Sequence, residues 1–436
     1  MNAQKAVKSR PEKLAIDGGV PARRRPDPPM FPGGNSIGVE EERVVLQVLR
    51  EKRLFRYYGP ASGPSNAAHL EFAFADRLGA KNAIAVSSGS AALLCALAAA
   101  GVGPGDEVII PAYTWIACAY TVTNVGAIPI LAEVDETLTV DPVDAERKIS
   151  SRTRAIVAVH MRGAPARMDQ LRDLASRYRL TLIEDVAQAV GGSFLGQPLG
   201  SIGEIGCFSF QFNKIITCGE GGMIVTSDEN LHRRALMFHD PVSARSSEIP
   251  SDEVLVGMNF RMPEISAAIA RVQLTKLDGL ISAMRSRKRR IKTGIARGVA
   301  EVDGKFRVLT DEEGDTGIAL VFFMPSPEAA AHVIKCLRAE NIGASLMYLR
   351  DRLDYHVYAH WAPILDQRTW TAQGGPWRWA PPVEYSREMC PGTLELLSRA
   401  VHLDVNPLLS TDEIDETIIG VNKVLASTQR PEPLRN

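Results

Sequence analysis

The sequence predicts a large α/β domain with a mostly parallel sheet, followed by a smaller α+β domain. Three observations predict it. Short apolar runs alternate with helix-period segments between residues 83 and 183; the alternation then breaks at a glycine-rich stretch; and one long helix-period segment leads into a differently patterned C-terminal region. A chain of 436 residues holds two or three domain-sized units and buries a large core.

Residues 1–34 are polar and proline-rich, from Pro26-Asp27-Pro28-Pro29 to Pro32-Gly33-Gly34, and read as an extended arm. Helical periodicity starts at Val39–Lys52 and returns at His69–Leu78. The strands Ala83–Val86, Val108–Ile110, Ile128–Leu131, Ala155–Val159 and Leu180–Ile183 follow, with helices Ala91–Ala100 and Ala117–Val125 after the first two. Two short runs, Cys207–Phe210 and Met223–Thr226, are joined by glycine-rich loop instead of helix, which suits an antiparallel strand added to the sheet. Pro263–Leu280 and the basic run after it form one helical connection. Ile318–Phe323 is then a strand, Pro327–Glu340 a helix, Trp361–Pro391 loops, and Thr411–Leu425 a closing helix with Thr411 and Glu413 placed to cap it. The expected division is an arm over 1–34, a large domain over 35–282 and a small domain over 283–436.

Composition excludes several classes. A formal net charge of −1 makes no electrostatic case for nucleic acid or an anionic membrane as partner. The run Arg285-Ser286-Arg287-Lys288-Arg289-Arg290 reads as a solvated helix face. The six cysteines are scattered, with no C-x-x-C pair and no metal-ligand spacing, which fits reduced buried thiols. Met1–Arg10 has no hydrophobic region of a secretory signal, and no apolar stretch reaches the ~20 residues of a membrane span. The expected location is the cytoplasm.

Four features of the large domain bear on chemistry, each with a plainer alternative. The strand ending Ile183-Glu184-Asp185 puts an acid where open parallel sheets bind ligands. A carboxylate there can keep a pyridine nitrogen protonated, as pyridoxal 5'-phosphate (PLP) chemistry requires, or can merely cap a helix. Lys214 follows 29 positions later (214 − 185), ahead of Gly219-Glu220-Gly221-Gly222; its amine suits a Schiff base, or is a surface lysine before a turn. Ser87-Ser88-Gly89-Ser90-Ala91-Ala92 lies between strand and helix, where backbone N–H groups meet anions, though small residues also serve such turns sterically. Trp115, after the next strand, can stack on a flat cofactor or lie in the core.

Order and spacing resolve these alternatives together. Val86-Ser87-Ser88-Gly89-Ser90-Ala91-Ala92-Leu93, Gly103–Pro111, Val159-His160-Met161-Arg162-Gly163, Glu184–Ala189, Gly219–Gly222 and Gly257–Glu264 occur in register. On these six blocks the chain resembles the DegT/DnrJ/EryC1/StrS family of PLP-dependent sugar aminotransferases, over about Val39 to Leu425. The resemblance implies the fold type I of PLP enzymes and a homodimer with shared active sites. It makes Lys214 the Schiff-base lysine and Asp185 the pyridinium partner, with Gln188 beside the ring and Trp115 stacked on it. Ser90, Ala91 and Ser209 would hold the phosphate, with Asn259 reaching it from the neighbouring subunit.

The implied reaction moves an amino group from glutamate or glutamine to a keto- or aldehydo-sugar. Family dehydratases carry histidine in place of the lysine, so Lys214 favours transamination. A regulator on the same fold would have no reason to keep Asp185, Gln188 and Lys214 together. A nicotinamide enzyme lacks its G-x-G-x-x-G. For the acceptor, Leu14–Arg23 resembles the keto-cyclitol (scyllo-inosose) branch. Phe55-Arg56-Tyr57, Glu133–Leu138, Ile215–Gly222, Glu313-Gly314-Asp315 and the Tyr348–Trp361 region resemble the branch making 8-amino-3,8-dideoxy-octulosonate, which is slightly favoured. Tyr57, Tyr58, Tyr348, His356, His360 and Trp361 would shape the acceptor pocket or serve as packing residues, and Arg56 or Arg261 would meet a carboxylate or act as structural ion-pair arginines. Three features depart from the common pattern: Gln188 where histidine is frequent, Trp115 where phenylalanine is usual, and the Trp370–Pro391 stretch.

Overall fold

The computed structural model describes residues 13–57, 63–247, 249–372 and 374–428. At its centre are seven strands: β1 (Asn82–Val86), β2 (Glu107–Pro111), β3 (Ile128–Ala132), β4 (Thr153–Val159), β5 (Thr181–Asp185), β6 (Ile205–Ser209) and β7 (Gly222–Thr226). They lie in the order β1-β7-β6-β5-β4-β2-β3. All pair in parallel except β7, which runs against both β1 and β6. As read from sequence, the link from β6 to β7 is a glycine-rich loop with no crossover helix, so the chain returns antiparallel. Every residue of β2, β6 and β7 is buried, as expected of a sheet covered on both faces.

Each face has its own core. Helices Gly89–Ala99 and Ala117–Asn124 bury residues such as Leu97 and Val122 on one side. Helices Asn66–Leu78 and Met168–Tyr178, with the first half of Glu264–Glu301, bury Phe74, Leu171 and Leu277 on the other. The helix Glu264–Glu301 is 38 residues long, about 57 Å at 1.5 Å per residue. It runs unbroken through positions 282 and 283, and its second half contributes Ile291, Ile295 and Val299 to a third core.

That third core belongs to an antiparallel sheet of β8 (Lys305–Phe306), β9 (Ala319–Phe323), β10 (Ala344–Leu346) and β11 (Ala400–Asp404), ordered β8-β9-β11-β10. Helices Pro327–Ala339 and Thr411–Thr428 cover it. A Cβ at Gly294 would lie 2.7 Å from Ile418, so the glycine lets the closing helix cross the long one closely. Ser410, not Thr411, caps the closing helix: its Oγ accepts from the Glu413 N–H at 3.3 Å and the Glu413 carboxylate accepts from the Ser410 N–H at 2.8 Å.

Two segments sit more tightly than their composition suggests. From residue 13 the N-terminal arm straps the small domain. Glu340 accepts the N–H groups of Ala15 and Ala22 at 2.8 and 2.7 Å, and Arg23 is fully buried between Asp27 and Glu413. The basic run is also occupied: Lys288 is buried on Asp315 at 2.6 Å, and Arg290 pairs with Asp415 at 2.6 Å. Among the described residues no helix is long and apolar enough to cross a membrane.

Candidate active site

The carboxyl ends of β4, β5 and β6 open onto a cleft of about 620 Å³, the position at which sheets of this kind bind ligands. Ala319, His402 and Asp404 of the small sheet face it from across, and Met30 and Phe31 of the arm close one side.

At one end, Ser88 caps the helix Gly89–Ala99, its Oγ accepting from the Ala91 N–H at 3.0 Å. Among the described residues the N–H groups of Gly89 and Ser90 have no partner. They are the free donors of a helix N-terminus, which favours an anion. A Cβ at Gly89 would fall 2.7 Å from the Ser209 Cβ, so glycine is what brings the Ser209 hydroxyl alongside this turn.

Asp185 ends β5, is 6% exposed and accepts the Ala187 N–H on Oδ1 at 2.9 Å and the Cys118 thiol on Oδ2 at 3.2 Å. No helix follows it, which removes the helix-cap alternative. Lys214 closes a turn from Gln211, its N–H donating to the Gln211 carbonyl at 2.9 Å, while its own carbonyl accepts from the Gly33 N–H at 3.1 Å. Burial holds the Lys214 ammonium below the ordinary lysine range; Asp185 opposes this and Arg162 reinforces it. Trp115 is 45% exposed at the cleft, not in the core, with its ring 5.0 Å from the His356 imidazole. His356 is oriented by a 2.8 Å bond between Nδ1 and Asp354, and burial keeps it below the ordinary imidazole range.

This set fits pyridoxal phosphate. Unpartnered N–H groups and two serines await a phosphate, a buried acid lies under the sheet end for the ring nitrogen, an indole stands beside it, and a desolvated lysine enters from the β6 side.

The structure brings Ser90, Trp115, Asp185, Gln188, Ser209, Lys214 and His356 to one cleft. It does not bring the others there. Ala91 is 4% exposed and its N–H is spent on Ser88, so it offers no donor to the cleft. Arg56 is bidentate on Glu71 at 3.0 and 2.8 Å, and Asp240 takes both Arg261 at 2.5 Å and the Tyr57 hydroxyl at 2.6 Å. These are internal pairs, the structural alternative that the sequence left open for both arginines. His360 is 8% exposed and bonded to the backbone of Asp354 and Arg350, Tyr348 packs 5.6 Å from it, and Trp361 is fully buried. Asn259 is exposed on a segment beside Ser87 and lies outside this chain's own cleft. Tyr58 lies outside the described residues.

Sequence reasoning gave no role to Arg162, Cys118, His402 or Asp404. Arg162 stood in a quoted block, but its left-handed backbone (φ 54°, ψ 38°) and its direction have no signature in one sequence. His402 and Asp404 come from β11, more than 180 residues after Lys214, and only the fold joins them to the site.

Among curated proteins the chain is 44% identical over 219 residues to GDP-perosamine synthase of Caulobacter vibrioides, covering 49% of this chain and 57% of that one. It is 38% identical over 275 residues to L-glutamine:scyllo-inosose aminotransferase of Streptomyces griseus, covering 61% and 64%. The matches thus span less than two thirds of either relative. The fold is shared with an aminotransferase from Psychrobacter cryohalolentis (TM-score 0.77, 26% identity, 91% and 98% covered). It is also shared with 3-amino-5-hydroxybenzoic acid synthase (TM-score 0.75, 26% identity, 93% and 100% covered). These neighbours agree with the type I fold expected from sequence. With the family model matching residues 35–373, the chain belongs to the DegT/DnrJ/EryC1/StrS aminotransferase family.

Proposed function

We propose that the protein is a PLP-dependent aminotransferase that passes an amino group from L-glutamine or L-glutamate to a keto-cyclitol or keto-sugar. The observation that carries this reading is Lys214, a desolvated amine sharing one cleft with Asp185 and an open helix N-terminus. When bound, PLP supplies the electron sink for a carbanion at the donor's Cα. The chain's residues supply the rest. Asp185 would hold a proton on the ring nitrogen, itself kept in place by Ala187 and Cys118. Lys214, with its pKa lowered, would take the proton from the donor Cα and return one to the acceptor carbon. Ser90, Ser209 and the N–H groups of Gly89 and Ser90 would anchor the phosphate.

For the acceptor, Arg56 and Tyr57 were among the residues that favoured the octulosonate branch, and both are engaged within the chain. The keto-cyclitol alternative is supported by several relatives named for scyllo-inosose or 2-deoxy-scyllo-inosose. The second reading, an 8-aldehydo octulosonate, keeps the support of the remaining sequence stretches. The homodimer belongs to the same proposal, supported by Asn259 being exposed and outside its own chain's cleft.

Mass spectrometry of product amines tests it, with the holoenzyme given L-glutamine or L-glutamate against keto-cyclitols, keto-sugars and aldehydo acids. Amination of scyllo-inosose or a relative is expected. Amination of the octulosonate alone would favour the second reading, and no amine from any acceptor would overturn both.

A further inference from the structure

Arg162 is the unusual cation of this cleft. It follows β4 at the carboxyl end of the sheet, and its backbone adopts the left-handed conformation that non-glycine residues seldom take. Such strain persists where surroundings impose it, and often at functional sites. Two bonds impose it here. The Arg162 N–H donates to Gln188 Oε1 at 3.0 Å, and Arg307, buried, donates to the carbonyl of the preceding Met161 at 2.9 Å. The side chain is held as well, Nε donating to the hydroxyl of fully buried Tyr113 at 3.1 Å.

What the guanidinium lacks is an acid. Arg23, Arg56 and Arg261 each have a carboxylate within 3.3 Å or less, but among the described residues none lies within 4.0 Å of Arg162. Of the two acids whose charge reaches it, Asp354 is bonded by His356 at 2.8 Å, and Asp404 stands across the cleft on the small sheet, beyond ion-pair distance. Arg162 nonetheless lines the cavity that holds Lys214, near enough to disfavour that ammonium. A guanidinium fixed through Nε and lining a cleft is suited to a carboxylate.

We infer that Arg162 binds the α-carboxylate of the amino-acid donor, with Tyr113 and Gln188 as its positioning residues. The inference rests on the aminotransferase reading, which supplies a donor whose carboxylate is bonded to the same carbon that Lys214 deprotonates. A cation beside that lysine meets this carboxylate, whichever side chain the donor carries.

The test compares ligands with and without the carboxylate. Calorimetric titration of the holoenzyme uses glutaramate, which is glutamine without its amine, and butanamide, which lacks the carboxylate too. Single-turnover conversion uses L-glutamine and its decarboxylated analogue 4-aminobutanamide. Arg162→Gln should weaken glutaramate and raise the half-saturation for L-glutamine by about 10- to 100-fold, as loss of a charge-assisted pair does. It should leave butanamide and 4-aminobutanamide within about twofold, and Arg162→Lys should restore part of the loss. Arg162→Asn, a residue that tolerates the left-handed backbone, should behave as the Gln variant does. Equal losses for both ligands of a pair, or no loss for glutaramate, would overturn the assignment. Failure of the wild-type holoenzyme to convert any amino acid, with glutaramate still bound through Arg162, would instead sink the aminotransferase reading.

Discussion

Burial disfavours the ammonium form of Lys214, which makes the free amine available at lower pH and leaves the charged group a strained guest in the cofactor-free chain. The folded state binds this proton less firmly than the unfolded chain does. The group therefore contributes its full stability only above the ordinary lysine value, and loses it as pH falls toward the lowered folded value, neutral pH included. Lys214→Met in the apoprotein should then raise stability by about 1 kcal/mol, roughly 1–3 °C in a thermal melt, while abolishing turnover of the holoenzyme. A lowered melting temperature would contradict the desolvation argument. Two histidines titrate in a more accessible range. His239 and His402 are buried, each has an unpartnered Nε2, and burial lowers both from 6.5 to about 4. The unfolded chain takes up these protons first, so stability is complete above about pH 6.5 and falls toward pH 4, by up to about 3 kcal/mol per group. Replacing both with Gln should flatten the melting temperature over that interval; an unchanged slope would assign the acid sensitivity to other groups.

The elements differ in how plainly their sequences announce them. β2 to β5 were legible because short β-branched runs between helix-period segments have few other uses, and β7 was legible as antiparallel from the glycine-rich link before it. The arm was not. Its prolines and charges read as extended chain, and nothing local says that Arg23 is buried between Asp27 and Glu413 or that Glu340 gathers the N–H groups of Ala15 and Ala22. Arg23→Ala should destabilise the fold by about 3 kcal/mol, because it leaves acids and a guanidinium-sized space without a partner. A chemical denaturation curve reads this directly, and a change within about 0.5 kcal/mol would mean the strap is only laid on the surface. The turn at Gly89 is the converse case. The sequence marked it as an anion site, and the structure adds that Gly89→Ala would drive a methyl into Ser209. That variant should lose at least about tenfold in PLP affinity, measured by titrating the apoprotein.

At the scale of the molecule, the cleft gathers residues from both sheets: Asp185 from β5, Ser209 from β6, and His402 and Asp404 from β11. Six blocks in register revealed the half made by the large sheet. The half made by the small sheet was illegible, since only long-range packing brings His402 and Asp404 to the cleft, and it alone decides that His356 lines the cleft while His360 and Trp361 are sealed in the core. A shared-site dimer makes its own prediction. A Lys214→Ala subunit mixed with an Asn259→Ala subunit should regain about a quarter of wild-type activity, since half of the random dimers carry one intact site. No recovery on mixing would place Asn259 outside the partner's site. The central claim, that Lys214 anchors the cofactor opposite Asp185, is tested most directly by borohydride reduction of the PLP-reconstituted protein and peptide mass spectrometry. The account predicts a phosphopyridoxyl group on the peptide containing Lys214; a label on another lysine, or none at all, would contradict it.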